Sequence, residues 1–113
     1  MASKNQPPTG VGGPADLAAV DVVTVLQALS DPVRLEIVRQ LAACGRAGEL
    51  NCGRIEVPVS KSTTSHHLRT LAAAGIIAER EEGTRKYLRL RQPDLDRRFP
   101  GLIDSILHAA QRT

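Results

Sequence analysis

The chain has 113 residues, of which 42% are apolar and 2% aromatic, and it carries a net charge of +3. This length supports one domain with a modest aliphatic core, and the scarcity of aromatic rings argues against single-strand binding by base stacking. The sequence contains no apolar run of about 18 residues, no apolar leader and no disulfide pattern, so we expect no membrane span and a reduced, cytoplasmic setting.

The charge is unevenly distributed along the chain. Residues 60–91 carry +4, whereas residues 1–59 carry −1. A basic segment of this kind is typical of a surface that meets a polyanion. Residues 1–14 combine prolines and glycines with little that could be buried, which predicts a disordered tail, and residues 15–113 are expected to form the domain.

The first predicted helix runs from Ala15 to Leu29, where apolar residues recur every three or four positions. Leu17, Val22 and Val25 belong to an apolar face that is wider than one core contact needs. A helix that is apolar around much of its circumference needs two neighbours. We therefore expect one side of this helix to face the core and another to face a second protomer.

The second predicted helix begins at Ser30-Asp31-Pro32, where Ser30 or Asp31 can cap it and Pro32 fits the first turn. Arg34 is expected to be exposed, as a surface or salt-bridge residue rather than a DNA contact. A short third helix is predicted over Gly48–Val57.

The segment Pro58–Gly75 is predicted to form one helix with an unusual outer face. Ser60 can cap its N-terminus, and Gly75 fits a left-handed stop. No Asp or Glu occurs over residues 61–78, although a solvated helix commonly pairs Glu with Lys four positions apart.

Short hydroxyl groups and cations fill this outer face. Hydroxyl groups let a backbone approach a polyanion closely, while Lys and Arg supply charge for phosphates. The pattern predicts a recognition helix in a DNA major groove, and a Ser/Thr-rich surface helix is the alternative. The candidate DNA contacts on this helix are Lys61, Ser62, Thr63, Ser65, His66 and Arg69.

A β-hairpin is predicted directly after this helix. Strands over Ile76–Arg80 and Arg85–Arg91 flank a turn, Glu81–Thr84. Arg85 and Lys86, next to the tip, are candidates for contact with phosphates or the minor groove. The alternative is a solvated hairpin of mixed sign, because glutamates lie opposite these cations.

The last helical region, Pro93–Gln111, is expected to divide at Pro100 into a short turn and a main helix. Its apolar residues follow an i, i+1, i+4, i+5, i+8 pattern, and such an amphipathic helix is a natural dimer surface. The predicted dimer contacts on the first and last helices are Leu17, Val22, Val25, Leu102, Ile103, Ile106, Leu107 and Ala110.

Two stretches of the sequence resemble the signatures of one family of regulators. One is ALSDPVRLEIV over residues 28–38, and the other is STTSHHLRTL over residues 62–71, followed by AGII and a charged hairpin. The combination is similar to the ArsR/SmtB family of winged helix-turn-helix transcription regulators and covers most of residues 17–110. The resemblance implies a mainly α fold with a small β-hairpin (α+β), dimerising through its first and last helices, with His67 as an inner residue.

Many members of the resembled family bind a metal ion. Cys52 falls where some relatives carry a Cys-x-Cys pair, but it is one thiol, and soft-metal sites usually take three or four ligands. Asp104 and His108 lie four residues apart on one helix face, so two chains would offer four ligands. The alternatives are a reduced thiol and an exposed polar face; no cofactor is expected, with a bound transition metal left open.

The residues and the resemblance together predict a homodimer that binds a near-palindromic DNA duplex and controls transcription, by repression if the resemblance holds. A second hypothesis is an interaction subunit without its own effector site that works with a separate sensor protein. We do not expect an enzyme, because the sequence contains no visible nucleophile–base pair and no Gly-rich phosphate loop.

Overall fold

The structure is a computed structural model that describes residues 16–45 and 48–111, so the predicted tail over residues 1–14 lies outside the described residues. The described part contains five α-helices and three β-strands, which confirms a mainly α fold with a small sheet. The helices are α1 (Val22–Leu29), α2 (Pro32–Ala42), α3 (Lys61–Ala73), α4 (Gln92–Arg98) and α5 (Leu102–Gln111), and the strands are β1 (Leu50–Asn51), β2 (Ile77–Glu82) and β3 (Arg85–Leu90).

The N-terminal helix is shorter than predicted, because two aspartates cap two separate segments. Asp16 caps a single 3₁₀ turn, Leu17–Ala19, and Asp21 caps α1 by accepting from the Thr24 N–H at 2.9 Å. Both aspartates have the extended backbone that a cap requires. The predicted continuous helix over Ala15–Leu29 is therefore wrong in the part that precedes α1.

The second helix begins as predicted. Asp31 Oδ2 accepts from the backbone N–H groups of Val33 (2.8 Å) and Arg34 (3.0 Å), and Pro32 occupies the first turn. The bond from the Arg34 N–H holds the pKa of the Asp31 carboxyl below its usual value. Ile37, on the inward side of α2, is fully buried.

The predicted third helix over Gly48–Val57 is wrong. This segment instead contributes β1, which pairs antiparallel with β3, and then a 3₁₀ turn over Cys52–Arg54. The Asn51 side chain accepts from the Gly53 N–H at 2.8 Å, a local bond that competes with a continuing helix.

A side chain from α2 holds the extended chain that leads into α3. Gln40 Nε2 donates to the Glu56 C=O at 2.8 Å, and the Glu56 N–H donates to Gln40 Oε1 at 3.0 Å. One amide thus satisfies both backbone groups of an extended residue, as a neighbouring strand would. Residues 55–60 therefore reach α3 without forming a further helix.

The three strands form one antiparallel sheet in the order β1–β3–β2. β2 and β3 are the predicted hairpin, and their pairing continues to Glu82 and Arg85 at the tip. The turn is therefore shorter than the predicted Glu81–Thr84. Gly83 adopts a φ of 64° in this turn, a conformation that favours glycine.

The core is aliphatic, as the composition predicts. Helices and hairpin strands all contribute to it, and no Phe or Tyr side chain is among the buried residues of the described part. Val25, Ile37, Leu71, Leu88 and Leu95 are among the fully buried side chains. Burying a side chain of this size contributes about 1.5–3 kcal/mol, so the core fixes α3 and the base of the hairpin relative to each other.

The C-terminal region divides near Pro100, as predicted, into α4 and α5. Arg98, in the last turn of α4, donates to the C=O groups of Leu17 (3.2 Å) and Val20 (3.3 Å), so α4 holds the N-terminal 3₁₀ turn. None of the helices within residues 16–45 and 48–111 has the length and apolar character needed to cross a bilayer.

Candidate nucleic-acid interface

The helix α3 is capped by Ser60 and stopped before Gly75, as the sequence predicts, but it spans Lys61–Ala73 rather than the whole segment Pro58–Gly75. Ser60 Oγ accepts from the Thr63 N–H at 3.1 Å, which satisfies one of the N–H groups that lack a partner inside the helix. Gly75 adopts a φ of 79° just beyond the last turn. A Cβ at Gly75 would lie 2.5 Å from Leu17 Cδ2, so close packing at this end also favours glycine.

One face of α3 is buried and the other is exposed. His67, Leu68 and Leu71 are buried against the core, with Thr64 and Ala72 half-buried. All six residues predicted to contact DNA from this helix are exposed: Lys61, Ser62, Thr63, Ser65, His66 and Arg69. The arrangement leaves the predicted contact face accessible to a ligand.

The cations of α3 have no carboxylate partner among the residues that the structure describes. The side chains of Lys61 and Arg69 make no hydrogen bond or ion pair within the described part of the chain. At the start of the helix, the hydroxyl of Ser60 lies 3.3 Å from that of Ser62 and donates to that of Thr63 at 3.0 Å. A polyanion can therefore bind both cations without breaking an ion pair, next to a locally ordered group of hydroxyls.

On the hairpin, by contrast, the cation Arg80 is paired with carboxylates. Its guanidinium donates to both carboxylate oxygens of Glu49 (2.8 and 3.0 Å) and to Glu82 (2.8 Å), and lies 4.7 Å from the centre of the Tyr87 ring. The bonds from Arg80 lower the pKa of the Glu49 carboxyl, and those from Glu49 and Glu82 raise the pKa of Arg80. The Arg80 guanidinium is therefore engaged in contacts within the protomer and is less available to a phosphate.

The two predicted contacts at the hairpin tip also differ from each other. Arg85 is exposed, and its side chain makes no hydrogen bond or ion pair with a described residue. Lys86 is half-buried, and its Nζ lies 3.6 Å from Glu79 Oε1. Of the two, Arg85 is the more available to a phosphate.

Arg34 and His67 make a contact that the sequence did not predict. Arg34 is half-buried, so the prediction that it is exposed is wrong. Its Nε donates to the Ala28 C=O at 2.7 Å, and its Nη1 lies 3.1 Å from Nδ1 of His67, which is 9% exposed and thus an inner residue. The two partners are 33 positions apart, so no local pattern signals their contact.

The predicted dimer contacts fall into two groups. Four are buried in the protomer's own core: Leu17, Val25, Ile103 and Leu107. A side chain packed inside the protomer has little surface left for a partner, and contact of these four with a second chain stays a prediction. The other four keep accessible surface: Val22, Leu102, Ile106 and Ala110. Val23 and Leu26, absent from the predicted set, are 54% and 44% exposed.

The candidate metal ligands do not form a complete site in one chain. Among the described residues, no group of three or more His, Cys, Asp or Glu side chains is arranged to hold a metal ion. Asp104 and His108 are exposed on α5, where Asp104 Oδ1 accepts from Gln92 Nε2, and Cys52 is half-buried in its 3₁₀ turn. A metal shared by two chains stays a prediction.

Comparison with known proteins identifies the kind of domain. Residues 29–80 match a helix-turn-helix domain family. The chain is 36% identical over 84 residues to the uncharacterized HTH-type transcriptional regulator YceK of Bacillus subtilis, covering 73% of this chain and 82% of that protein. It is 34% identical over 77 residues to the arsenical resistance operon repressor of Staphylococcus xylosus, covering 67% of this chain and 71% of that protein.

A solved structure supports the same assignment. A possible transcriptional regulatory protein from Mycobacterium bovis superimposes with a TM-score of 0.59 at 31% identity, over 75% of this chain and 88% of that one. The matched proteins are transcription regulators rather than enzymes, and the matched residues include α3 and the start of the hairpin. The chain therefore belongs to the ArsR/SmtB family of winged helix-turn-helix transcription regulators.

Proposed function

We propose that this regulator acts as a homodimer that binds a near-palindromic operator in double-stranded DNA and represses transcription. In this proposal α3 of each protomer enters the major groove, and the hairpin contacts the adjacent phosphates. The observation that carries the proposal is the exposed face of α3, which has no acidic residue and whose two cations have no partner among the described residues.

The dimensions and chemistry of α3 suit a major groove. A helix of 13 residues is about 20 Å long, and the groove of B-DNA admits an α-helix. Recognition helices present their N-terminal residues to base edges, and here those residues are Lys61, Ser62 and Ser65. Arg69 lies farther along the exposed face, where a guanidinium can pair with a guanine edge or a phosphate.

The exposed apolar side chains of α1 support a two-fold dimer. Val22, Val23 and Leu26 are 40%, 54% and 44% exposed, and leaving apolar surface in water costs about 25 cal/mol per Å². A second copy could cover them through the same patch on both protomers. A two-fold dimer would present two α3 helices to half-sites about 34–36 Å apart, which explains why the operator should be nearly palindromic.

Repression is supported by a relative, since the matched protein of Staphylococcus xylosus is a repressor of an arsenical resistance operon. The route by which a signal would reach this chain has two candidate forms. One is a metal bound between protomers by Asp104 and His108, and the other is a separate sensor protein that binds the regulator.

The test is a measurement of affinity for duplex DNA from the protein's own promoter region. Fluorescence anisotropy at several salt concentrations should give an affinity that falls steeply with salt, because each neutralised phosphate releases counterions. Arg69→Ala should weaken binding about tenfold, a loss within the usual range for one specific base contact. Arg39→Ala is the matched control, because Arg39 is exposed on α2 but held by Glu36 at 2.7 Å, and it should change affinity less than about twofold.

Sedimentation of the complex should find two chains per bound duplex. A single chain per duplex, or binding that does not respond to salt, would contradict the proposal. Equal losses for Arg69→Ala and Arg39→Ala would remove α3 from the interface.

A further inference from the structure

We propose that Arg34 is a positioning residue that fixes the orientation of the recognition helix α3 relative to α1. The inference rests on the proposed function, in which α3 reads DNA and α1 contributes to the dimer. Arg34 itself lies in the first turn of α2, half-buried between these two helices.

The first half of the link is made with the end of α1. Arg34 Nε donates to the Ala28 C=O at 2.7 Å, and Nη2 donates to the Gln27 C=O at 3.4 Å. Both carbonyls belong to the last turn of α1, where C=O groups lack partners inside the helix. The Gln27 C=O also accepts from the N–H and the hydroxyl of Ser30, so the short bond to the Ala28 C=O is the main tie between Arg34 and α1. The same end carries the negative pole of the helix dipole, which suits a guanidinium.

The second half of the link is made with α3. Arg34 Nη1 lies 3.1 Å from His67 Nδ1, and a guanidinium can only donate, so Nδ1 must accept. The other ring nitrogen, Nε2, lies 3.9 Å from Asp31 Oδ2. His67 is 9% exposed and occupies the middle of α3, directly beside His66 of the exposed face.

This link is directional in a way that the surrounding contacts are not. Within the described residues, Arg34 makes the only side-chain hydrogen bonds that join α1 to α3. Apolar contacts tolerate small rotations of one helix against another, whereas a planar guanidinium with fixed acceptors resists them. In a dimer joined through α1, a rotation of α3 would change the separation of the two recognition helices and their fit to two half-sites.

Lysine provides a sharp test of the geometry. It keeps the charge and the helix propensity of arginine, but its single ammonium cannot reproduce a fork that reaches two helices at once. Arg34→Lys should therefore break the link while changing neither the net charge nor the tendency of α2 to form.

The experiment is a double-mutant cycle with Arg34→Lys, His67→Leu and the two changes combined, measured against the promoter duplex that binds the wild type. Each single change should weaken binding about 5- to 30-fold, and the combined change should weaken it no more than the larger single effect. The salt slope should stay at the wild-type value, because Arg34 contacts no phosphate. Arg39→Lys, on the exposed side of α2, is the control and should stay within about twofold.

His67→Asn keeps the test decisive if His67→Leu folds poorly. The asparagine side-chain oxygen can occupy nearly the place of Nδ1 and accept from Arg34. This variant should bind within about threefold of wild type on its own and lose that affinity when Arg34→Lys is added. Thermal melts should show all variants used to be folded at the assay temperature.

Several outcomes would overturn the inference alone: wild-type affinity for Arg34→Lys, losses that multiply in the combined variant, or a salt slope reduced by about one, which would indicate a direct phosphate contact. Failure of the wild type to bind any promoter duplex would overturn the proposed function and this inference with it. The two failures are thus distinguishable by the wild-type measurement.

Discussion

The helix α3 and the hairpin both carry basic residues, but the two elements differ in whether a carboxylate is bonded to those residues. On α3, Lys61 and Arg69 have no carboxylate partner among the described residues. On the hairpin, Arg80 is bonded to Glu49 and Glu82. A paired cation must give up its partner before it meets a phosphate, so a count of basic residues overstates the attraction of the hairpin for DNA.

The largest loss of DNA affinity should come from placing an acidic residue on the exposed face of α3. Ser65 is exposed in the middle of that face, and Ser65→Asp would set a carboxylate against the phosphates. Repulsion between unit charges at about 4 Å is worth roughly 1–4 kcal/mol between water and a protein surface, so affinity for the operator should fall by about 10- to 100-fold or more. Anisotropy with the promoter duplex measures this loss.

Thr84→Asp is the matched control, because it adds the same charge at an exposed position of the hairpin tip. There the new carboxylate joins neighbouring glutamates and lies beside Arg85, so the loss should be several-fold smaller. Equal losses of DNA affinity for Ser65→Asp and Thr84→Asp would mean that the charge of α3 matters no more than that of the hairpin, which would contradict the contrast drawn between them.

Smaller losses of DNA affinity are expected for the two cations at the hairpin tip, and the two losses should differ. Arg85→Ala should weaken binding about 3- to 10-fold and lower the salt slope by about one, as expected for a lost phosphate contact. Lys86→Ala should cost less, because the Lys86 ammonium is already 3.6 Å from Glu79. Measuring both variants over the same salt series tests the ranking, and a larger loss for Lys86→Ala would reverse our assignment of the wing contact.

The ends of α3 could be predicted because their signals act locally. Ser60 caps a helix whose N–H groups lie within three residues of it, and Gly75 stops the helix by its own backbone conformation. The aliphatic core and the hairpin follow in the same way from composition and from strand alternation.

The division of the N-terminal helix comes from two local aspartate caps, Asp16 and Asp21, whereas other errors concern contacts that are distant in sequence. The predicted third helix over Gly48–Val57 fails because Gln40, sixteen residues before Glu56, satisfies the backbone of an extended residue. Periodicity identified the apolar stripe of α1 but could not tell that Val25 faces the core while Leu26 faces solvent. No local rule signals the contact between Arg34 and His67 across two helices.

The smallest effect on DNA binding should come from Arg80→Ala. Since Arg80 is already bonded to two carboxylates and stacked on Tyr87, its loss should change operator affinity by less than about twofold. Its effect should instead be on stability: the thermal midpoint at pH 7 should fall slightly because Glu49 loses its partner.

The stability effect should depend on pH with a definite sign. Arg80 lowers the pKa of Glu49, so the pair stabilises the fold above the ordinary carboxyl pKa, and that contribution is lost as the pH falls through the lowered value. The difference in midpoint between wild type and Arg80→Ala should therefore narrow from pH 7 towards about pH 3, and Glu49→Gln should lower the pH 7 midpoint by a similar amount. If Arg80→Ala instead lost as much DNA affinity as Arg85→Ala, Arg80 would have to leave its carboxylates to bind phosphate, and its ion pairs with Glu49 and Glu82 would not limit its attraction for DNA.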